Sequence, residues 1–397
     1  MLRGPMTGIG NYTFHIVRAS LECDPSFRYM GFGGLNWREI DLTSVRGAAT
    51  VRGDDDDLRS AGSEASAMGR IRHRGIQAAM RLSHIRPVRA LYRTTYRRGF
   101  AASVRGLRLD LFHAFNFRPP SDPGVPVLPV VYDLSTFRHP EFHPADRVRW
   151  LGPVQNIVSR APMVQTISKF SKREIMSVFG TTADKIFVAP PAAAPLYRAV
   201  GRKETERDLI PFGLQYGSFF LSVGTLEPRK NIRTLIAAYA QLSPTERQLC
   251  PLVMAGGKGW GDLDLPVQAE ALRSDGTLRF VSGVSNLQLR SLYEGARLML
   301  MPSLYEGFGM PVVEALACGT AVAHSAETSM DEISGSFGRR VAALNVDGWR
   351  DVLREASAVP DHDDLARREA RIAQARQFDW GRSAGLVLAA YRRLIPG

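Results

Sequence analysis

Short apolar runs alternate with amphipathic stretches along most of the chain, which is typical of parallel sheets covered by helices on both faces. In the first half, the apolar runs predict strands at residues 109–114, 127–132, 164–167 and 186–189. The second half repeats the pattern at residues 219–223, 252–255, 278–281, 298–301 and 321–323. The pattern therefore predicts an α/β protein built from two domains with parallel sheets.

Capping residues sharpen the helix boundaries between these strands. Ser168 and Ser171 are N-cap candidates for a helix that runs to Phe179 and ends at Gly180. Further helices are predicted at residues 231–242, at 287–296 after a capping box, and at 311–318 before a glycine.

Domain boundaries follow from local composition. Residues 197–217 carry charge, Pro and Gly without periodicity, so they predict a linker. We predict an N-terminal domain over 1–205, a C-terminal domain over 206–380, and a C-terminal helix over 381–397 that packs back on the first domain. Only seven residues precede the glycine turn at Gly8 and Gly10, so the first strand is expected to be short or missing.

Composition favours some cellular compartments and protein classes over others. No window approaches the roughly 20 apolar residues needed to cross a bilayer, and the N-terminus has no apolar signal-peptide core. The three cysteines lie far apart without a CxxC pair, which argues against disulfides or a zinc site. These features predict a cytoplasmic enzyme or binding protein with reduced thiols.

The net charge of +12 is concentrated in one segment. Arg70–Arg98 holds nine arginines and no carboxylate, interleaved with apolar residues. Such a segment either lies on an anionic membrane surface, making the protein peripheral, or forms solvated helices with ordinary core contacts. No nucleic-acid-binding motif accompanies the charge, so a nucleic-acid partner is not predicted.

The main candidate site is the string that follows the strand at 298–301. Gly307 and Gly309 allow close approach of a ligand to the backbone, and Pro311 suits the first position of a helix. The free N–H groups of such a helix start bind phosphate or sugar oxygens. Glu306 and Glu314 flank this turn, and each can accept hydrogen bonds from vicinal hydroxyls. We therefore expect both carboxylates to face one ligand.

A second candidate element follows the strand at 219–223. Arg229 and Lys230 lie after a Gly-containing turn and before a helix, at the carboxyl end of a strand, where ligands bind in open α/β sheets. A guanidinium and an ammonium side by side can neutralise a diphosphate leaving group.

Longer strings around these residues resemble glycosyltransferase family 4. They are Gly-Thr-Leu-Glu-Pro-Arg-Lys-Asn at 224–231, and the pair Glu306 and Glu314 followed by Ala-Leu-Ala-Cys-Gly at 315–319. Weaker matches at 7–12, 132–134, 166–171 and 280–284 extend the resemblance over nearly the whole chain. That family is retaining and metal-independent and has the GT-B fold, so the resemblance implies two Rossmann-like domains that face each other across a cleft.

The resemblance implies a role for each matching residue. Arg229 and Lys230 would hold the donor diphosphate and stabilise its departure, and Glu314 would bind the ribose hydroxyls. Glu306 and the backbone amides of residues 308–310 would hold the transferred sugar. The catalytic candidates are thus Arg229, Lys230, Glu306, Asp133 and Tyr132, and the donor-binding candidates are Gly8, Gly10, Gly224, Gly256, Val281, Gly283, Phe308, Gly309, Met310 and Glu314.

Two positions depart from the family pattern. Tyr132 stands where many members have His before Asp, and Pro190-Pro-Ala replaces a common Pro-Asn-Gly. With His139-Pro-Glu-Phe-His-Pro144, the chain looks similar to bacterial O-antigen and polysaccharide mannosyl- or rhamnosyltransferases. His139 and His143 are interpreted as loop residues, with a contact to the acceptor as the alternative.

The resemblance implies the substrates as well. It implies a nucleotide sugar as donor, with GDP-mannose or a deoxy relative as the expected one, and a glycan or lipid-linked glycan as acceptor. No cofactor and no metal are expected, and the pair Asp262 and Asp264, which resembles a metal-binding DxD, is interpreted as part of a loop.

Three other functions were weighed. A dehydrogenase would need a strand before Gly8 and a third glycine at Thr13, so it is disfavoured. A nucleotide-sugar epimerase shares the architecture but has no need of the glutamate pair beside Arg229 and Lys230. A catalytically impaired protein that binds nucleotide sugar without turnover stays open, because of Tyr132 and the short N-terminus.

Overall fold

The computed structural model describes residues 8–32, 37–45, 86–358 and 364–395. Within these ranges, the N-terminal half contains a helix, an antiparallel pair of strands and a further helix, followed by a four-stranded parallel sheet in the order β3-β4-β5-β6. Its elements are α1 (Gly8–Cys23), β1 (Tyr29–Phe32), β2 (Trp37–Ile40), α2 (Arg86–Val104), β3 (Phe112–Ala114), β4 (Val127–Val131), α3 (Ser135–Arg138), α4 (Ala145–Leu151), α5 (Val154–Arg160), β5 (Val164–Thr166), α6 (Lys169–Phe179) and β6 (Ile186–Val188).

The C-terminal half holds a six-stranded, wholly parallel sheet in the order β12-β11-β10-β7-β8-β9. Strands β8 and β10 are buried at every position, as expected of strands covered on both faces. The elements are α7 (Arg202–Leu209), β7 (Phe220–Val223), α8 (Ile232–Ala240), α9 (Pro244–Leu249), β8 (Leu252–Ala255), α10 (Gln268–Ser274), β9 (Leu278–Val281), α11 (Asn286–Gly295), β10 (Leu298–Met301), α12 (Met310–Ala317), β11 (Val322–Ser325), α13 (Met330–Ser334), β12 (Gly338–Val341), α14 (Val346–Ala358), α15 (Leu365–Ala375) and α16 (Trp380–Leu394).

This strand order creates a crevice. The chain moves outward from β7 to β9 on one side and then returns to place β10 on the other side of β7. Ligands of open α/β sheets bind at such a reversal, beyond the carboxyl ends of the strands. The predicted α/β fold with two Rossmann-like units is confirmed.

The last helix crosses back to the N-terminal half. Helix α16 lies against α1, and the Tyr391 hydroxyl is 2.6 Å from His113 Nδ1. The Ser383 hydroxyl donates to the Pro190 carbonyl oxygen at 2.6 Å. The exact domain boundaries at 205 and 380 stay a prediction.

The residues interpreted as an irregular linker contain helix α7. Arg290 on α11 pairs with Glu204 and Asp208 on α7 at 3.0 and 3.3 Å. The buried Glu294 carboxylate accepts hydrogen bonds from the backbone N–H groups of Val200 and Gly201. These partners lie about 90 positions away in sequence, so local periodicity carried no sign of the helix.

Two other predictions concern residues that lie wholly or partly outside the described residues. Residues 1–7, where the short first strand was expected, lie outside them, as do residues 70–85 of the basic segment Arg70–Arg98. The rest of that segment belongs to α2. Within the described residues, no helix is both long enough and apolar enough to cross a membrane.

Candidate active site

The crevice is lined by the loops that follow β7 and β8. Gly224, at φ +152°, leaves β7, and a Cβ on Gly256 would lie 1.9 Å from its carbonyl oxygen. The two loops then pair, because Leu226 N donates to Gly257 O at 3.0 Å and Gly259 N donates to Leu226 O at 3.1 Å. Glycine is required at 256 because the two backbones approach so closely.

Asn231 ties three loops together at the end of this segment. It adopts a left-handed conformation at φ +52° after the 3₁₀ turn Pro228–Lys230. Its side-chain amide donates to Pro302 O at 3.0 Å and to Ala343 O at 2.8 Å, and its Oδ1 accepts from the Thr234 hydroxyl at 2.7 Å. Asn231 thereby holds the loops after β7 and β10 at a set separation, a role that the sequence reasoning missed.

Arg229, Lys230 and Glu306, which come from two separate candidate elements of the sequence, meet in this crevice. Arg229 Nη1 lies 3.0 Å from Glu306 Oε2, and Lys230 Nζ lies 2.8 Å from Glu306 Oε1. Arg229 Nη2 also contacts Glu227 Oε1 at 2.6 Å. The exposed side-chain fractions of Arg229, Lys230 and Glu306 are only 16%, 15% and 9%. Two cations and two carboxylates thus form a desolvated network at the carboxyl ends of β7 and β10.

The charges set the protonation state of Glu306. Burial alone raises the pKa of a carboxyl group, but the cations of Arg229 and Lys230 outweigh it and lower the pKa of Glu306 to about 2. Glu306 is therefore an anion throughout the physiological pH range.

Helix α12 starts directly after this network. Gly309 is its N-cap at φ +110°, where a Cβ would lie 2.7 Å from Met330 Cγ, and Met310 is the first helical residue. The Ser329 hydroxyl is within hydrogen-bond distance of both Glu306 O and Phe308 O, at 2.9 and 2.7 Å. The Phe308 side chain is buried, with its ring centroid 5.4 Å from that of Phe378. The backbone amides of residues 308–310 thus lie on a turn that the hydroxyl of Ser329 stabilises through hydrogen bonds.

Glu314 lies one turn into α12 and has a different environment. It is half-buried, and the Tyr293 hydroxyl donates to its Oε2 at 2.8 Å. Desolvation raises the pKa of Glu314 to about 7, although the hydrogen bond from Tyr293 lowers it in part. The two glutamates therefore have separate protein partners. That one ligand contacts both of them stays a prediction.

Of the N-terminal candidates, Asp133 faces the crevice. Its Oδ1 accepts from Ser135 N at 2.8 Å and from the Ser135 hydroxyl at 2.6 Å, and its charge acts on Arg229 and Tyr305. The Tyr132 side chain is buried in the N-terminal half, where its hydroxyl donates to Phe115 O at 2.8 Å. Asp133 thus lies beside the network, while the Tyr132 phenol points into the N-terminal core.

The remaining donor-binding candidates surround the crevice at different depths. Val281 ends β9, and its carbonyl accepts from Gly256 N at 2.9 Å. Gly283 follows at φ +70° and is exposed. Gly8 and Gly10 lie in the first turn of α1, where Gly8 is exposed and Gly10 is buried. Their roles stay predictions.

Contacts between the two halves of the molecule were missed by the sequence reasoning. The hydroxyls of Ser168 and Ser171 donate to Gly307 O at 2.7 and 3.0 Å, and a Cβ on Gly307 would lie 2.3 Å from Tyr132 O. The Glu332 carboxylate accepts from Lys169 N and Phe170 N at the start of α6. Ser168 was recognised as an N-cap, a role it does have through Ser171 N, but its second partner lies 139 positions away. The two halves are thus closed on each other at the network.

The pair Asp262 and Asp264 lies on an exposed turn, where Asp262 Oδ1 accepts from Asp264 N and Asp264 pairs with Arg233. Among the described residues, no group of three or more His, Cys, Asp or Glu side chains is placed to hold a metal ion.

Comparison with known proteins gives matches over both halves. A family model described as glycosyl transferases group 1 matches residues 215–363. O-antigen chain mannosyltransferase B of Escherichia coli is 30% identical over 398 residues, which span 99% of this chain and 98% of that protein.

Solved structures share the fold at low identity. WaaG, a glycosyltransferase involved in lipopolysaccharide biosynthesis, has a TM-score of 0.61 and 15% identity, with 94% of this chain and 92% of that chain covered. Anabaena Alr3699/HepE in complex with UDP-glucose has a TM-score of 0.59 and 18% identity, with 74% and 82% covered. Both show that the two parallel-sheet units of this chain adopt the GT-B arrangement.

Proposed function

This chain belongs to the group 1 glycosyltransferases, and from that membership we propose that it transfers a mannose-like hexose from a nucleoside-diphosphate sugar to a glycan of the cell surface. The name of the Escherichia coli relative supports mannose as the sugar and O-antigen as the type of product. A GDP-sugar is the proposed donor, and a lipid-linked glycan at the cytoplasmic face of the membrane is the proposed acceptor, with the basic segment Arg70–Arg98 against the anionic surface.

The observation that carries the proposal is the buried network of Arg229, Lys230 and Glu306. Two cations with little exposure lie at the carboxyl ends of β7 and β10, beside the N-terminus of α12. A diphosphate is the ligand chemistry that this arrangement favours, because the fork of Arg, the point charge of Lys and the helix start all attract phosphate oxygens. On binding, the diphosphate would take over part of the pairing that Glu306 provides.

The proposed reaction proceeds with retention and without a metal. The bond between the anomeric carbon and the donor phosphate oxygen breaks, while the acceptor oxygen bonds to the same face of the anomeric carbon. The acceptor proton passes to an oxygen of the leaving phosphate, so no carboxylate nucleophile is required. Arg229 and Lys230 stabilise the charge that develops on the diphosphate, and catalysis rests on this stabilisation and on positioning.

Closure of the two halves completes the site. Ser168 and Ser171 hold Gly307 from the opposite half, and Trp260 Nε1 donates to Phe142 O at 2.8 Å across the same boundary. Exclusion of water matters because hydrolysis of the donor competes with transfer.

The test is incubation of the full chain with a panel of GDP-, UDP- and dTDP-linked sugars and a lipid-linked glycan acceptor, in buffer with and without EDTA. Mass spectrometry follows the product, and NMR of the new linkage reads the anomeric configuration. We expect an α-linked hexose product with GDP-mannose, at a rate unchanged by EDTA. Tight binding of a nucleotide sugar with no glycosylated product would contradict the proposal and support a binding protein without turnover, and conversion of the donor to an isomeric nucleotide sugar would support an epimerase.

A further inference from the structure

His143 is a buried imidazole that has no hydrogen-bond partner in the part of the chain that the structure describes. It follows the 3₁₀ turn Pro140–Phe142 and comes two residues before α4. Only 9% of the residue is exposed, and no described residue pairs with Nδ1 or Nε2 of its ring. Buried polar groups are nearly always satisfied, so two unpaired ring nitrogens in one buried side chain call for an explanation.

The location of His143 connects it to the diphosphate network. Its ring centroid lies 6.3 Å from that of Trp260, which comes from the opposite half of the molecule. The next residue, Gly261, packs so closely on Pro228 that a Cβ there would lie 2.8 Å from Pro228 Cγ. Pro228 directly precedes Arg229. A continuous series of contacting or adjacent residues therefore connects His143 with the network.

Charges from both halves reach the ring. Burial and the cations of Arg147 and Arg229 lower the pKa of His143, and the carboxylates of Asp133 and Glu141 oppose them in part, which leaves the pKa at about 4. At neutral pH the ring is therefore uncharged, with one N–H that donates and one nitrogen that accepts.

Two neighbouring polar side chains are already engaged. The Tyr132 hydroxyl donates to Phe115 O, inside the N-terminal half. His139 Nδ1 lies 3.2 Å from Glu141 Oε1, and this histidine is far more exposed than His143. Of the three side chains, His143 is the one whose polar atoms are buried and have no hydrogen-bond partner among the described residues.

We propose that His143 binds a hydroxyl group of a sugar held between the two halves, because a neutral imidazole that can donate and accept matches a hydroxyl that can do both. This inference rests on the proposed function. The hydroxyl belongs either to the hexose of the donor or to the acceptor glycan, and the two sources share the same chemistry.

The test compares His143→Phe with His139→Phe in the full chain. Phe keeps an aromatic ring beside Trp260 but removes both nitrogens, and His139 lies four residues away on the same segment. We measure the dissociation constants of GDP-mannose and GDP, the rate of donor hydrolysis without acceptor, and the KM for the acceptor during transfer. The ratio of the GDP to the GDP-mannose dissociation constant reports contacts to the hexose alone.

If the hydroxyl is on the donor hexose, His143→Phe is expected to reduce that ratio and the hydrolysis rate by about tenfold, the loss typical of a hydrogen bond with a buried partner. If it is on the acceptor, only the acceptor KM rises, by a similar factor. GDP affinity and the melting temperature stay at wild-type values in either case. His143→Gln, which retains a donor and an acceptor, is expected to restore part of the loss.

Wild-type values for all of these quantities in His143→Phe, or equal losses in His143→Phe and His139→Phe, would overturn the inference. If His143→Phe fails to fold, the comparison of His143→Gln with His143→Leu decides it, since equal affinities would contradict a hydrogen bond. Failure of the proposed function has a different signature, because the wild type would then bind GDP-mannose without transfer, while the ratio of dissociation constants would still report on His143.

Discussion

Glu306 and Glu314 lie at the two ends of one turn and helix start, yet their environments give them opposite properties. The cations of Arg229 and Lys230 hold the pKa of Glu306 at about 2 against the effect of burial. Among the described residues, the neutral hydroxyl of Tyr293 is the one side-chain partner of Glu314, and desolvation raises the pKa of Glu314 to about 7. The same side chain eight positions apart is thus a permanent anion in one place and a titrating group in the other.

The difference fits the two roles proposed for these glutamates along one short segment. A permanent anion beside two cations keeps them paired and in place until the proposed diphosphate binds. A carboxyl group that ionises near neutral pH responds to its ligand, because hydroxyl donors favour the charged form. We expect the proposed contacts of Glu306 to the transferred sugar and of Glu314 to the ribose to differ in their dependence on pH for this reason.

The largest effect is expected from removal of Arg229, a cation that pairs with Glu306 but not with Glu314. Arg229→Ala should lower turnover at saturating nucleotide sugar by at least about 100-fold, because charge stabilisation by one preorganised donor has about that magnitude. Lys230→Ala should behave in the same direction. Initial rates of nucleotide release with acceptor present provide the measurement.

Arg233→Ala is the matched control for this prediction. Arg233 lies four residues further along the chain, is 59% exposed and pairs with Asp264 on the surface. Its removal should leave turnover within about twofold of wild type, since exposed ion pairs contribute little. Comparable rates in Arg229→Ala and Arg233→Ala, with both variants folded, would remove the diphosphate assignment.

A smaller but still large effect is expected on stability when the carboxylates are neutralised. Glu306→Gln should lower the free energy of unfolding by about 3 kcal/mol, because it leaves two buried cations without a full counter-charge. Glu314→Gln should change it by about 1 kcal/mol or less, since no cation depends on that carboxylate. Urea unfolding at pH 7.5 measures both, and equal losses in the two variants would show that the environments do not differ as described.

The smallest effect is expected at Tyr293 and depends on pH. The pKa of Glu314 is raised from 4.5 in the unfolded chain to about 7, so the folded state keeps a proton that the unfolded state releases between these values. Stability from this group therefore falls as pH rises from about 4.5 to about 7. Tyr293→Phe removes a hydrogen bond that lowers the pKa of Glu314, so it should extend the fall above pH 7, at a cost of about 1 kcal/mol.

The free energy of unfolding between pH 5 and pH 9 checks this, with Glu314→Gln as the control that lacks the titration. Glu306 does not confuse the comparison, because its lowered pKa removes stability only as pH falls below about 4.5 towards 2. An identical pH dependence in the wild type, Tyr293→Phe and Glu314→Gln would contradict the raised pKa of Glu314.

Much of the sheet architecture was predictable from local pattern. The strands predicted at 252–255, 278–281 and 298–301 match β8, β9 and β10 at both ends. For β8 and β10 the reason is that a strand buried on both faces reads as a continuous apolar run. The capping box at Ser285 and the N-cap at Ser168 are present as predicted. Strand β12, with Gly338 and two arginines, carries no such signal and was missed.

Partners distant in sequence account for most of what was not predicted. Helix α7 was interpreted as a linker because its own residues are strongly polar, and the charges that stabilise it lie on α11. No sequence motif marked Tyr305 as important. Its hydroxyl nevertheless accepts a hydrogen bond from Leu134 N and donates one to Glu174 across the boundary between the two halves. His143 does lie in a loop, as predicted, but its burial was not predicted.

By itself, the sequence determined the fold class and the identity of Arg229, Lys230, Glu306 and Glu314 as candidate residues, since apolar periodicity and strand–turn–helix boundaries are local properties of the chain. The position of the crevice depends on the order of the strands, which only the tertiary structure decided. The tertiary structure alone also decided which polar groups meet: Arg229 and Lys230 with Glu306, and Tyr293 with Glu314, while no group among the described residues pairs with the ring of His143. The reason is physical, because a pKa or a hydrogen bond depends on desolvation and on atoms within a few ångströms, and the fold brings those atoms together from positions far apart in the chain.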